Sequence, residues 1–173
     1  MITLVCGGPN SGKSARAEEL FCEIKAVHKY YIATMRVFDE EGIKRVEKHR
    51  KARAGKGFIT LEIPVCADSA LKEIKDPAQS AVLLECLSNL AGNEMHETGG
   101  FDPVSFTSGY DTLTERIIKN IADLSAAVKE LIIVANMFKE DDEMYDEETK
   151  AYVRLNNTLT EKIRLLADKV VDI

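Results

Sequence analysis

The stretch Gly7–Ser14, which reads GGPNSGKS, decides the fold of this 173-residue chain. It matches the pattern G-x-x-x-x-G-K-[ST] of a phosphate-binding loop, which requires a buried strand before it and a helix after it. The apolar run Ile2–Cys6 predicts that strand, and a helical pattern starts near Lys13. The stretch therefore predicts a nucleoside triphosphate site. The predicted nucleotide ligands in it are Gly7, Gly8, Pro9, Asn10, Ser11, Gly12, Lys13 and Ser14.

The chemistry of such a loop follows from its backbone and two side chains. Glycines let the chain wrap closely around an anion, so that successive N–H groups point at phosphate oxygens. The positive end of the following helix dipole adds to this attraction. Lys13 is expected to reach the β- and γ-phosphates and to act catalytically, and the Ser14 hydroxyl is expected to hold Mg²⁺.

Composition limits the class of protein. With 45% hydrophobic and 30% charged residues, the chain has the profile of one globular domain over residues 1–173. A net charge of −6 argues against nucleic acid or an anionic membrane as the main partner. No apolar stretch approaches ~20 residues and the N-terminus lacks a signal-peptide pattern, so we expect a cytoplasmic protein without membrane insertion.

Apolar runs alternate with helical patterns, which is typical of a parallel sheet flanked by helices. Continuously apolar runs such as Val82–Leu84 predict strands that are covered on both faces. The predicted strands span residues 2–6, 30–34, 58–63, 81–86, 131–135 and 169–172. The predicted helices span residues 13–26, 40–54, 67–75, 87–95, 110–128 and 147–167. The four cysteines lack C-x-x-C spacing, and we expect buried free thiols rather than metal ligands at Cys6, Cys22, Cys66 and Cys86.

Two stretches depart from this alternation. Residues 97–109 contain three glycines and a proline, and predict a mobile loop that is a candidate lid. Residues 138–148 are strongly acidic, and we expect a solvated loop that leads into a helix. Their spacing does not support a metal site.

Glu85 directly follows the apolar strand that contains Val82–Leu84. Ligands of an open α/β sheet bind at the carboxyl ends of its strands. A carboxylate there can hold Mg²⁺ or accept a proton from an attacking hydroxyl group. We therefore expect Glu85 to be a catalytic, nucleotide-binding and metal-binding residue.

The most basic stretch, residues 44–53, reads KRVEKHRKAR and lies on a predicted helix. Clustered cations can receive a triphosphate, and they lower the pKa of His49 so that the imidazole stays neutral. A neutral imidazole can attack an α-phosphate and form a phosphoramidate. On pattern alone a lone helical histidine in a charge run is more typical of a solvated helix face, and composition does not choose between these interpretations.

The order and spacing of several segments resemble one family, the bifunctional adenosylcobinamide kinase / adenosylcobinamide-phosphate guanylyltransferases of cobalamin nucleotide-loop assembly. Asp102-Pro103, Asn136 and Ala167–Val170 also fall where the family has them. The segments that carry the resemblance are Gly7–Ser14, Tyr31-Ile32-Ala33-Thr34, Arg45-Val46 with His49-Arg50, and Leu83–Leu87.

The resemblance implies a RecA-like P-loop NTPase fold, commonly a homotrimer, with a corrinoid substrate and ATP or GTP as phosphate donor. One reaction phosphorylates adenosylcobinamide, and the other transfers GMP from GTP through a guanylylated histidine. The family's histidine corresponds to His49, and its motif residues correspond to Lys13, Ser14 and Glu85. Nucleotide contacts by Thr34, Arg45 and Arg50 are further expectations, those of the two arginines from charge alone.

The chain departs from the family pattern after the fifth predicted strand. Met137-Phe138-Lys139 replaces a Glu-Val-Gly sequence, and Thr160-Glu161 replaces an Asn-Gln pair. Two other hypotheses therefore stay open. One is a small-molecule kinase or NTPase of the same fold without guanylyl transfer, and the other is a nucleotide-binding regulatory module without catalysis.

Overall fold

The computed structural model describes residues 1–37, 40, 42–44, 47, 51, 55–97, 101–139 and 144–173. The strands are β1 (Ile2–Gly7), β2 (His28–Ala33), β3 (Ile59–Glu62), β4 (Ser80–Glu85), β5 (Glu130–Asn136) and β6 (Lys169–Asp172). The longer helices within these ranges are α1 (Lys13–Glu23), α2 (Leu87–Met95), α3 (Pro103–Ala127) and α4 (Glu147–Leu166). Short 3₁₀ helices span Ala67–Lys72 and Pro77–Gln79.

All six strands form one parallel sheet in the order β3-β2-β4-β5-β1-β6. Their carboxyl ends therefore meet at one edge of the sheet. Strand β5 lies between β1 and β4, so the phosphate-loop strand and the strand ending in Glu85 are about 10 Å apart, two strand spacings. This architecture confirms the predicted α/β class with a mainly parallel sheet.

The two faces of the sheet are covered unequally. On one face, α1 packs Ala17 and Phe21 against a cluster that includes Val5, Leu83 and Val134. On the other face, α2, α3 and α4 cover a larger core that runs from β1 to β3. The central strands are therefore buried on both sides, which explains why their sequences are continuously apolar.

Residues 67–75 do not form the predicted α-helix. Ala67–Lys72 is a 3₁₀ helix between Cys66 and Asp76, both of which have positive φ values. Its N–H groups bond to carbonyls three residues back, as from Ser69 to Cys66 and from Glu73 to Ala70, which is the tighter 3₁₀ pattern typical of short segments.

The predicted loop at 97–109 is also wrong in its second half, because α3 begins at Pro103. The Asp102 carboxylate accepts a hydrogen bond from the Ser105 N–H at 2.8 Å, which caps the helix, and proline occupies the first helical turn. Aspartate followed by proline is a standard helix-start signal that the glycine content of the stretch obscured. In the acidic run, Asp146 caps α4 in the same way.

The cysteine prediction holds only in part. Cys6 is buried, whereas Cys22 is exposed and Cys66 and Cys86 are partly buried. Cys22 was wrongly expected inside because its neighbour Phe21 occupies the inward face of α1. All four are free thiols, and no group of three or more metal-ligating side chains occurs in the described ranges. None of the helices described is long and apolar enough to cross a membrane.

Candidate functional site

The phosphate-binding loop connects β1 to α1 at the carboxyl edge of the sheet. Gly12, which immediately precedes α1, has φ 91°, a left-handed conformation that glycine adopts without strain. At Gly7, a Cβ atom would lie 2.7 Å from the Ser11 Oγ and 2.8 Å from the Ile173 backbone oxygen. The two glycines therefore serve different needs, a turn at Gly12 and close packing at Gly7.

Lys13 is folded back over this loop. Its side chain is buried, and the Nζ donates a hydrogen bond to the Gly8 carbonyl at 3.0 Å. The Ser11 Oγ beside it is buried and has no hydrogen-bond partner among the described residues. A buried ammonium group on a loop carbonyl and an unpaired hydroxyl form a site that a phosphate would complete, because buried polar groups are normally paired.

Glu85 ends β4 at the same edge of the sheet. Register places it beside Val134 of β5, which is in turn beside Val5, so Glu85 lies two residues below the level of Gly7. Its Oε2 is buried and has no hydrogen-bond partner in the described part of the chain. An unpaired buried carboxylate oxygen fits a metal ion or a protonated ligand group.

Cys86 directly follows Glu85 and immediately precedes α2. Burial raises the pKa of the Cys86 thiol, a hydrogen bond from the Asn89 backbone lowers it, and the Glu85 carboxylate raises it. The Lys13 ammonium lowers this pKa as well.

Thr34, at the end of β2, forms a clasp with the backbone of Cys86. Its hydroxyl donates to the Cys86 carbonyl at 2.8 Å and accepts from the Cys86 N–H at 2.7 Å. The Thr34 N–H also donates to the Glu85 carbonyl at 3.1 Å, and the threonine is fully buried. The peptide bond between Glu85 and Cys86 is cis. The Thr34 hydroxyl, at a residue expected to contact nucleotide, therefore forms hydrogen bonds with the backbone next to Glu85.

Asn93 extends the Thr34 clasp. Its Nδ2 donates to the Thr34 carbonyl at 2.7 Å and to the Pro64 carbonyl at 2.9 Å. The end of β2, the turn after β4 and the segment after β3 are therefore connected through α2. The sequence gave no signal for Asn93, because a single asparagine on a helix matches no motif.

The three predicted residues of the basic stretch, Arg45, His49 and Arg50, lie outside the described residues. The described residues around them, such as Lys44, Glu47 and Lys51, are helical, in agreement with the prediction for this stretch. Their nucleotide contacts and the nucleophilic role of His49 stay predictions.

An asparagine pair on α4 holds the segment that departs from the family pattern. The Asn156 Nδ2 donates to the Asn136 carbonyl at 2.8 Å, and Asn157 hydrogen-bonds both backbone groups of Phe138. The Phe138 ring packs against Tyr152 at 5.7 Å between centroids. The replaced sequence is therefore fixed at the site edge by side chains that motif comparison did not single out.

Strand β6 is held against β1 directly beneath the phosphate-binding loop. Arg164 donates two hydrogen bonds to the Asp172 carboxylate, at 2.7 and 3.1 Å, and the Cys6 thiol donates a third at 3.0 Å. The Arg164 guanidinium and then the thiol lower the pKa of Asp172 to about 2. Burial, followed by the hydrogen bond to Asp172, raises the pKa of Cys6 to about 12. Cys6 is thus held by Asp172 and Arg164 beneath the loop.

Comparison with known proteins gives consistent matches. The family model described as cobinamide kinase / cobinamide phosphate guanyltransferase matches residues 3–173. Bifunctional adenosylcobalamin biosynthesis protein CobU of Escherichia coli strain K12 is 33% identical over 141 residues, which cover 79% of this chain and 75% of that protein. The Salmonella typhimurium protein of the same name is 34% identical over 100 residues, 58% of this chain and 53% of its own length.

A solved structure, flagellar accessory protein FlaH from Methanocaldococcus jannaschii, has a TM-score of 0.47 and 14% sequence identity. The match covers 99% of this chain and 70% of that one. At that level the likeness carries no weight beside the sheet topology itself.

Proposed function

Because this chain belongs to the cobinamide kinase / cobinamide phosphate guanyltransferase family, we propose that it phosphorylates adenosylcobinamide and then transfers GMP from GTP to the new phosphate. The observation that carries the proposal is the buried Glu85 Oε2, without a hydrogen-bond partner in the described part of the chain, at the sheet edge that also carries the Gly7–Ser14 loop. The family match over nearly the whole chain supplies the acceptor and the two reactions.

In the kinase step, the backbone of Gly7–Ser14 binds the phosphates and the Lys13 ammonium leaves the Gly8 carbonyl for the β- and γ-phosphates. The acceptor hydroxyl attacks the γ-phosphorus and the bond to the β-phosphate oxygen breaks, with a nucleoside diphosphate leaving. Glu85 accepts the hydroxyl proton, because its Oε2 is buried beside the loop without another partner. Thr34 keeps that carboxylate in place through Cys86.

The residues present fit a magnesium ion. The Ser14 hydroxyl and the Glu85 carboxylate are oxygen ligands of the kind that Mg²⁺ prefers, and one Glu85 oxygen is unpaired. When bound, the ion would neutralise charge on the phosphate oxygens.

In the guanylyl step, the neutral His49 imidazole attacks the α-phosphorus of GTP, and the bond to the β-phosphate oxygen breaks with release of pyrophosphate. The phosphate of the phosphorylated acceptor then attacks the same phosphorus, so that the phosphorus–nitrogen bond breaks and His49 is regenerated. Arg45 and Arg50 bind the phosphates of GTP in this proposal, by charge attraction.

Three further properties belong to the same proposal. Residues 1–173 act as one nucleotide-binding domain in the cytoplasm, with small molecules rather than nucleic acid as partners. The phosphoryl donor is ATP or GTP, whereas guanylyl transfer uses GTP. The chains assemble as trimers, which light scattering of the purified protein would test.

The kinase half is tested with γ-³²P-labelled ATP or GTP, Mg²⁺ and adenosylcobinamide, followed by separation of the corrinoid. We expect label in adenosylcobinamide phosphate from the wild-type protein and none above background from Lys13→Ala. Labelled inorganic phosphate without labelled corrinoid would contradict the proposed acceptor and favour an NTPase. No consumption of either nucleotide would favour the regulatory module.

A further inference from the structure

A cavity of about 780 Å³ lies between α2 and α3, away from the phosphate-binding loop. Its volume is within the range of small-molecule sites, which are mostly apolar with a few polar groups. Glu94 and Arg116 supply charge to the wall. Its apolar side chains are Met95, Phe101, Phe106 and Leu113.

Glu94 is a buried carboxylate that forms an ion pair with Arg116 at the cavity wall. Only 3% of the residue is exposed, and its Oε1 accepts a hydrogen bond from the Cys66 N–H at 2.7 Å. The Oε2 lies 2.9 Å from an Arg116 nitrogen, outside hydrogen-bond geometry. The Arg116 side chain is 43% exposed, so its guanidinium can donate a hydrogen bond to the carbonyl oxygen of a primary carboxamide on a ligand.

Gly109 of α3 lines the cavity. It lies inside α3, where glycine costs about 0.5–1 kcal/mol relative to alanine. A Cβ atom there would meet nothing within 4 Å, whereas a Cβ at Gly92 of α2 would lie 3.5 Å from the Tyr152 ring. No neighbouring atom of the described chain therefore requires a glycine at position 109. The open space next to Gly109 is part of the cavity.

The aromatic side chains of the cavity wall pack against one another and against Tyr110. The Phe101 and Phe106 ring centroids are 5.6 Å apart, and Phe106 and Tyr110 are 5.5 Å apart. The Arg154 guanidinium lies 4.7 Å from the Tyr110 ring centroid. Rings held in this way offer a fixed apolar surface to a broad, flat ligand, with the Glu94–Arg116 pair at its edge.

Helix α2 connects this cavity with the nucleotide site. It begins directly after the Glu85-Cys86 turn and ends at Met95 in the cavity wall, nine residues or about 13 Å later. We propose that the cavity binds the acceptor by its apolar body and a peripheral carboxamide, and that its hydroxyl group extends toward Glu85. The assignment of cobinamide as that acceptor rests on the proposed function.

The test is Gly109→Leu, which fills the cavity from within and favours helix. Asp111→Leu is the matched control, because it adds the same side chain to an exposed position of α3 outside the cavity wall. Cobinamide is titrated into nucleotide-free protein and followed by its visible absorbance, and KM for nucleotide is measured in parallel. Phe106→Ala is a second cavity variant, and thermal unfolding checks that each variant folds.

We expect Gly109→Leu to raise the Kd for cobinamide at least about tenfold, or 1.4 kcal/mol, with KM for nucleotide within about twofold and Asp111→Leu like wild type. Phe106→Ala is expected to weaken binding in the same direction. Unchanged cobinamide affinity in both folded cavity variants would overturn the cavity assignment while leaving the kinase intact. A wild-type protein that phosphorylates no corrinoid and binds no cobinamide would overturn the proposed function as well. A change of oligomeric state in Gly109→Leu alone would assign the cavity to a chain–chain contact and overturn the ligand proposal.

Discussion

The nucleotide side and the cavity side of the molecule differ in how the sequence forms them, although α2 connects the two. The proposed nucleotide side is a contiguous sequence motif, Gly7–Ser14, which supplies backbone N–H groups and one lysine. The cavity side takes its surface from side chains on α2, α3 and the segment before α3, which are spread over residues 94–116.

The difference follows from what each side recognises. A triphosphate is the same anion in every NTPase, so one backbone geometry and one sequence pattern suffice. A bulky acceptor is recognised by shape and by a few polar groups, which many sequences provide. The two sides should therefore fail independently when mutated.

Lys13→Ala is expected to have the largest effect. Removing the ammonium group that faces the developing charge should lower the kinase rate about a hundred- to a thousandfold. The Kd for cobinamide, measured without nucleotide by absorbance titration, should not change. Loss of cobinamide affinity in this variant would contradict the claim that the two sides act independently.

Glu85→Gln removes the charge of the carboxylate and keeps its size. Loss of the proton acceptor should lower kcat about a hundredfold or more, with a smaller change in KM for cobinamide. Steady-state kcat and KM of wild type and Glu85→Gln check this. A kcat like that of wild type in Glu85→Gln would assign the proton to another group.

Thr34→Val tests whether the threonine positions Glu85 or contacts nucleotide. The isosteric change removes both hydrogen bonds to Cys86, and we expect kcat to fall about tenfold with KM for nucleotide within about twofold. Thr34→Ser keeps the hydroxyl and should restore kcat. A rise in KM without a fall in kcat would instead support the nucleotide contact expected from sequence.

Asp172→Asn has the smallest expected effect, on stability and not on catalysis. The lowered pKa of Asp172 makes its contribution full above the unfolded-state value of 3.8, and this contribution is lost as pH falls toward 2. Because the carboxylate is largely exposed, we expect a difference below about 1 kcal/mol in the free energy of unfolding. Urea denaturation at about pH 6 and about pH 3 should show the variant losing less stability than wild type. Equal losses would show that the Arg164 pair contributes nothing.

The secondary structure could be predicted from the sequence wherever local sequence signals agree with the tertiary structure. Apolar runs bounded by turns predicted the four inner strands, because strands covered on both faces cannot be polar, and the shorter edge strands β3 and β6 were predicted at nearly the same positions. The glycines at 99, 100 and 109 suggested one long loop, but the Asp102-Pro103 helix start outweighs a single interior glycine. Gly109 within α3 is consistent with that outcome, since one glycine reduces helix stability without ending the helix.

The site was readable only where it depends on motifs. Lys13 belongs to a phosphate-loop motif and Glu85 directly follows an apolar strand, so both could be proposed as site residues from sequence, and their roles stay predictions. The hydrogen bonds of Thr34 with Cys86 join residues 52 positions apart, which no local pattern encodes. The buried Glu94 with Arg116 likewise depends on the packing of α2 against α3.

The most direct test of the account is incubation of wild-type protein with Mg²⁺ and α-³²P-labelled GTP, followed by denaturing electrophoresis. His49→Ala is the matched control, and adenosylcobinamide phosphate is then added to a portion of the labelled protein. The account predicts an acid-labile, alkali-stable label that His49→Ala lacks and that the corrinoid phosphate removes. Label of equal intensity in His49→Ala, or no label at all while the γ-phosphate is still transferred to the corrinoid, would contradict guanylyl transfer through His49.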